Sequence, residues 1–203
     1  MWYAPSVVTP AVAEPATVDM VRAHCGISTT ARDVEFAAFI KSARARVEKY
    51  CGIFVPRQTV DATCDAFSDF ENVGASPVAS IVKISYVDAS GATQDIPSGT
   101  YELRLDGLSS AIVRTDGDPW PERKPVTLIT VRMNVGFDVV DPPIVTAILF
   151  EAARYAAMSG RNVGLKKFVV EGVGSREFEP IGSGAEDEIL SNLLEPYRKW
   201  RLA

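Results

Sequence analysis

Several things are scarce in this chain, and each scarcity narrows what it can do. No apolar run approaches the roughly 20 residues that a membrane-spanning helix needs. The first 14 residues are apolar but contain no Lys or Arg, and Pro5 and Pro10 interrupt them; this excludes a signal-peptide pattern and predicts an extended, polyproline-like arm over 1–14. Three cysteines, Cys25, Cys51 and Cys64, are odd in number and form no CxxC spacing, so reduced thiols in a cytoplasmic setting are expected. Positive charge is outnumbered: 21 Lys and Arg against 26 Asp and Glu give a net charge of −5, the wrong sign for a protein that grips nucleic-acid phosphates.

Catalytic chemistry is equally thin. The single histidine, His24, adjoins Cys25 in a short helical segment, where neighbouring positions diverge by about 100° and cannot pair as nucleophile and base. A partly buried structural histidine is the expectation. Asp116-Gly117-Asp118 has the look of a cation loop but lacks the ligand spacing and closing glutamate of an EF-hand, and so reads as a solvated turn. Gly172-Val173-Gly174-Ser175 matches neither GxSxG, nor a Walker A loop, nor GxGxxG, and reads as a hairpin turn. These residues predict no catalytic, metal or cofactor site.

What is present is a strong alternation of periods. Thr30 to Gly52 (TARDVEFAAFIKSARARVEKYCG) places Phe36, Phe39, Ile40, Ala43, Val47, Tyr50 and Cys51 on one helical face. Thr30 is the candidate N-cap and Gly52 the stop. The opposite face carries Lys41, Arg44, Arg46, Glu48 and Lys49, with Arg44 and Glu48 four apart and able to pair. Before it, Pro15 to Gly26 predicts a short helix capped by Thr17. After it the period becomes two: Gln58–Phe67, Val78–Val87 with Val82, Ile84 and Tyr86 on one face, Tyr101–Leu105, Ser110–Arg114 and Val126–Val135 read as strands, with turns at Ser76-Pro77, Ser90-Gly91 and Asp106-Gly107. The helical period returns at Asp141-Pro142 and runs to Gly160. Lys166–Phe178 predicts an exposed hairpin, Glu186–Glu195 a last helix, and Pro196 its end.

The expected fold is therefore α+β: a helical core of about four helices (15–56 plus 138–200) carrying a β-rich insertion of about five strands (57–137), with an extended arm at 1–14 and a short basic, aromatic tail at 197–203. The arm, the hairpin and the tail are poor at folding alone and suited to ordering on a partner.

In their order, PATVDMVRAHCGI, AFIKSARARVEKYCGIFVPRQT, SIVKISYVDASGATQDI with YELRLDG, GFDVVDPPIVTAILFEAARYAA and LLEPYRKWRL resemble the phage head–tail connector (adaptor) family, in its gp6-like or phiE125 gp8-like branch. The resemblance covers about Pro15 to Arg201 and rests on packing and turn residues. It implies a structural role in a tailed phage, prophage or gene transfer agent. Members form a ring beneath the portal and join the DNA-filled capsid to the tail, leaving a channel for DNA. It implies as partners the portal protein, neighbouring copies in a ring (a dodecamer) and a tail-side neck or terminator protein, with DNA passing through unbound and no membrane. The place implied is the particle neck, assembled in the bacterial cytoplasm. It further implies that the C-terminal segment, Tyr197, Arg198, Lys199, Trp200 and Arg201, engages the portal. Arg44, Glu48 and the hairpin residues Phe168, Gly172, Gly174 and Phe178 are the candidate subunit interface. The alternatives are a tail-terminator or other neck protein, and a small ligand-binding or hydrolytic domain using Asp116 and Asp118.

Overall fold

In the computed structural model, residues 1–159, 167–170, 174–177 and 185–199 are described. The chain divides into two compact units: Met1–Ala13 with Gly52–Val140 and Lys199–Ala203, and Glu14–Cys51 with Asp141–Arg198.

The first unit is a sheet. Five antiparallel strands lie in the order β1 (Ser6–Thr9), β2 (Gln58–Cys64), β7 (Ile129–Val135), β3 (Val78–Val87), β4 (Thr93–Asp95). A two-stranded ribbon of β5 (Tyr101–Asp106) and β6 (Ser109–Arg114) accompanies it. Strands β2 and β7 alternate perfectly between buried and half-buried residues, which is the period-two pattern of a sheet with one covered face. Val60, Ala62, Cys64, Ile129, Val131, Met133 and Val135 point into a core completed by Phe70, Val73, Ile84, Ile96 and Ile112. The opposite face is polar and paired: Arg132 grips Asp61 through two 2.8 Å bonds, holding the carboxyl below the usual carboxylate range.

Three outcomes in this unit bear on the sequence expectation. Within residues 1–14, expected as an extended arm, Ser6–Thr9 form the edge strand β1. Val82, read as a partner of Ile84 on one face, is half-exposed because β3 shifts register against β7 between Ile81 and Lys83, a bulge that turns Val82 outward while Ile84 stays buried. The strand expected from Val126 begins at Ile129, since Val126 takes a left-handed conformation (φ 66°) inside a turn. Between Gly52 and Pro56, Ile53 and Val55 are buried.

The second unit is helical: α1 (Val18–Cys25), α2 (Asp33–Cys51), α3 (Pro142–Ser159) and α4 (Ala185–Leu194), with α3 packed against the other three. Thr17 caps α1 by accepting from the Met20 amide at 3.3 Å, and Gly26 closes it, as the sequence predicts. On α2, Phe36, Ile40, Ala43, Val47 and Cys51 are buried, whereas Tyr50 lies at the margin, 38 % exposed. On α3, Ile144, Ala147, Ile148, Ala152 and Ala156 form the seam, and Glu151 is buried among them, paired with Arg154 at 3.0 Å and Arg46 at 3.4 Å.

Candidate assembly surfaces

His24 is exposed and not partly buried as expected; its ring meets the edge of Phe150 at 5.0 Å. Asp116 is committed to Arg114 and accepts from the Asp118 amide at 3.2 Å, which makes the 116–118 segment a closed turn. Burial pushes the Cys51 thiol up to about 11 and the Cys64 thiol up to about 12. Among the described residues no group of His, Cys, Asp and Glu could hold a metal ion, and no helix is long and apolar enough to cross a membrane.

The hairpin forms as two short strands, β8 (Lys167–Val170) and β9 (Gly174–Glu177), with Phe168 opposite Arg176 and Val170 opposite Gly174. Gly172 and Phe178 lie outside the described residues. A two-stranded ribbon leaves one row of backbone donors and acceptors unpaired along each outer edge, which is what an added strand recognises.

Arg44 and Glu48, expected on an exposed face, are only 21 % and 16 % exposed. Arg44 donates to Glu48 at 2.7 Å and to Glu14 at 2.6 Å. Glu14, just ahead of α1, covers this part of α2, so the guanidinium is engaged within its own chain. The sequence reading missed Glu14, since a single acid in a coil segment carries no periodic signal.

Pro196 stands at the expected end of the last helix: α4 gives way to a 3-10 turn over Glu195–Tyr197, and the residues Arg198 and Lys199 that follow lie on their own chain. The Tyr197 hydroxyl donates to Asp141 at 3.0 Å, the Arg198 guanidinium sits 5.0 Å from the centre of the Tyr50 ring, and Lys199 Nζ donates to the Val73 carbonyl at 2.9 Å. A proline at the second position of a turn needs no amide partner, so the chain bends there without leaving the surface. Trp200 and Arg201 lie outside the described residues.

The N-terminal segment reveals a slot that the sequence reading did not find. The Trp2 indole donates to the Asp69 carbonyl at 2.9 Å and stacks on Phe70 with ring centres 6.0 Å apart. Gly74 faces it, and a Cβ there would fall 2.5 Å from Trp2 Cβ. Tyr3 donates its amide to the Thr63 carbonyl and its hydroxyl to Asp65, each at 2.9 Å. Behind the slot, Phe67, Phe70 and Trp120 form one aromatic cluster, with Phe67 and Trp120 stacked at 5.0 Å. The available signal was a tryptophan in an otherwise uncharged, proline-broken stretch.

No known family profile matches this chain, and no curated protein matches it in sequence. Solved structures do match in fold. A chain from the neck of an empty GTA particle computed with C6 symmetry superposes with a TM-score of 0.71 at 17 % identity. A chain from the virion of a native gene transfer agent (GTA) particle gives 0.72 at 17 %, and one from the neck of a native GTA particle computed with C12 symmetry gives 0.70 at 16 %. In each case the match covers 99 % of this chain and 98 % of the other. The α+β fold described above is the fold of these particle chains.

Proposed function

We propose that this chain is a structural head–tail connector (adaptor): a ring-forming neck protein beneath the portal that joins a DNA-filled capsid to its tail and leaves a channel for DNA. The observation that carries this reading is the end-to-end match to particle neck chains, which takes in both compact units and leaves almost nothing of either chain unmatched. C6 and C12 symmetry in those necks supports a ring of copies, twelve being the number we propose here. The net charge of −5 suits a channel wall over which DNA slides, because a strongly basic lumen would hold it by counterion release. The role needs no catalysis, cofactor or metal.

Within that role the C-terminal segment is the proposed portal anchor. Tyr197, Arg198 and Lys199 seat its root on the subunit, and Trp200 and Arg201 carry the aromatic and cationic groups that dominate interface energetics. The β8–β9 hairpin, through Phe168, Gly172, Gly174 and Phe178, is the proposed lateral contact. Arg44 and Glu48 are the weaker part of that proposal, since the Arg44 guanidinium is already engaged by Glu48 and Glu14 within the chain.

The deciding experiment is co-purification with the portal protein of the same particle, with mass photometry of the product. Discrete rings that bind portal are expected. Rings that bind a tail-tube end and ignore portal would assign a terminator, and a monomer stabilised by calcium or a metabolite would favour a ligand-binding domain. Deleting residues 167–177 is expected to weaken ring formation more than Glu48→Ala does, and an unchanged oligomer after the deletion would refute the hairpin contact.

A further inference from the structure

The contacts that hold residues 1–9 fall on one continuous strip of the chain, residues 59–74. Strand β1 pairs with β2 through Ser6–Asp61, Val7–Val60 and Thr9–Thr59, and Trp2 bridges to Cys64. The Trp2 indole, stacked on Phe70 and hydrogen-bonded to Asp69, fills space that exists because residue 74 has no side chain. The strip therefore behaves as a receptor: a strand edge for backbone pairing, plus one pocket that reads a large aromatic with an N–H donor.

The ligand is joined to the rest of the chain by an unusual tether. Met1–Ala13 belong to the sheet unit and Glu14–Cys51 to the helical unit, so the connection runs across the boundary between the two in sequence. It contains no helix or strand from Pro10 to Ala16, and Val12 is fully exposed. Pro10 and Pro15 hold φ near −65° and favour extended over folded-back conformations. Glu14 is held by Arg44 and Ala16 is buried, so the adjustable part is Pro10–Ala13, which fully extended spans at most roughly 15 Å. Exchanging residues 1–9 between two copies would preserve every contact with the strip and alter only the tether. The choice between own and neighbouring slot is then set by tether strain and by local concentration.

We propose that the 59–74 strip is a docking slot for an extended, tryptophan-bearing strand, and that in the assembled ring it is filled by residues 1–9 of a neighbouring copy. The proposal rests on the ring reading above. It makes each subunit's five-stranded sheet complete only with its neighbour's first strand, so that ring closure and sheet completion become one event.

The test is a cysteine pair in the full chain, Thr9→Cys with Thr59→Cys, oxidised after mass photometry has established whether rings are present. The chain with only its own three cysteines is run alongside. Exchange predicts a ladder of covalent multimers under non-reducing denaturing electrophoresis. Rings that yield only covalently closed monomers overturn the exchange and leave the ring reading standing, whereas absence of rings is visible before oxidation and removes both. A second measurement reads the slot itself. A labelled peptide of residues 1–13 is expected to bind the Trp2→Ala chain at least about tenfold more tightly than the same peptide carrying Trp2→Ala. Equal affinity of the two peptides, or no binding by either, overturns the slot.

Discussion

Gly136 shows how much one backbone position can decide. Its φ of +89° lies in the region that side chains disfavour, and a Cβ there would sit 2.2 Å from the Pro56 carbonyl oxygen, while its amide donates to the Pro77 carbonyl at 2.9 Å. Gly117 has a similar φ, +79°, but an added Cβ would meet nothing within 4 Å. Gly136→Ala is therefore expected to destabilise by about 3 kcal/mol or more, and Gly117→Ala by about 1 kcal/mol, in urea melts of the two variants. Equal effects would mean that the Pro56 contact yields freely. Asp88 makes a second case. Its carboxylate accepts from Ser90, Ala92 and Gln94, which lowers its pKa to about 2. A depressed carboxylate contributes stability above its unfolded value of about 3.9, and that contribution is lost as pH falls through the folded value. Stability should decline from near pH 4 toward pH 2, and less steeply in Asp88→Ala. An unchanged acid limb in that variant would place the dependence on other carboxylates such as Asp61.

At the scale of elements, the bulge in β3 is the clearest departure from pattern. Alternation alone puts Val82 and Ile84 on one face; the register shift leaves Val82 49 % exposed and Ile84 fully buried. Ile84→Ala should lose about 2–4 kcal/mol, while Val82→Ala should stay within about 0.5 kcal/mol. Comparable losses in thermal unfolding would argue for a regular strand. The helices follow their sequence signals more closely, because caps and apolar stripes are local. Thr17, Gly26, Gly52 and the Asp141-Pro142 start all stand at helix boundaries. Strand β4 gave no signal at all, since Thr93–Asp95 is short, exposed and polar, and its pairing with Ser85–Val87 is dictated by the Asp88 turn.

For the molecule as a whole, the tail couples subunit stability to the proposed partner. Removing everything after Glu195 would delete the Tyr197–Asp141, Arg198–Tyr50 and Lys199–Val73 contacts along with the proposed anchor. The truncated chain should unfold about 1–3 kcal/mol more easily and lose portal binding. Ending the chain after Lys199 should retain most of that stability and still lose portal binding. A chain ending at Lys199 that binds portal with unchanged affinity would take the anchor away from Trp200 and Arg201.

The amino-acid sequence by itself determined the helical and extended periods, most of their boundaries and the α+β class, because each depends on residues within a turn or two of one another. It also carried the absence of any reactive motif from which to argue catalysis. Only the tertiary structure decided which strand neighbours which, and so brought β7 between β2 and β3, turned Val82 outward and drew the first nine residues onto a strip some 60 positions later. It alone settled that Arg44 is claimed by Glu14 and that Tyr197 to Lys199 lie on their own chain. Those outcomes depend on packing between distant segments, where a single glycine such as Gly74 or a single acid such as Glu14 selects the partner and leaves no periodic trace in the chain.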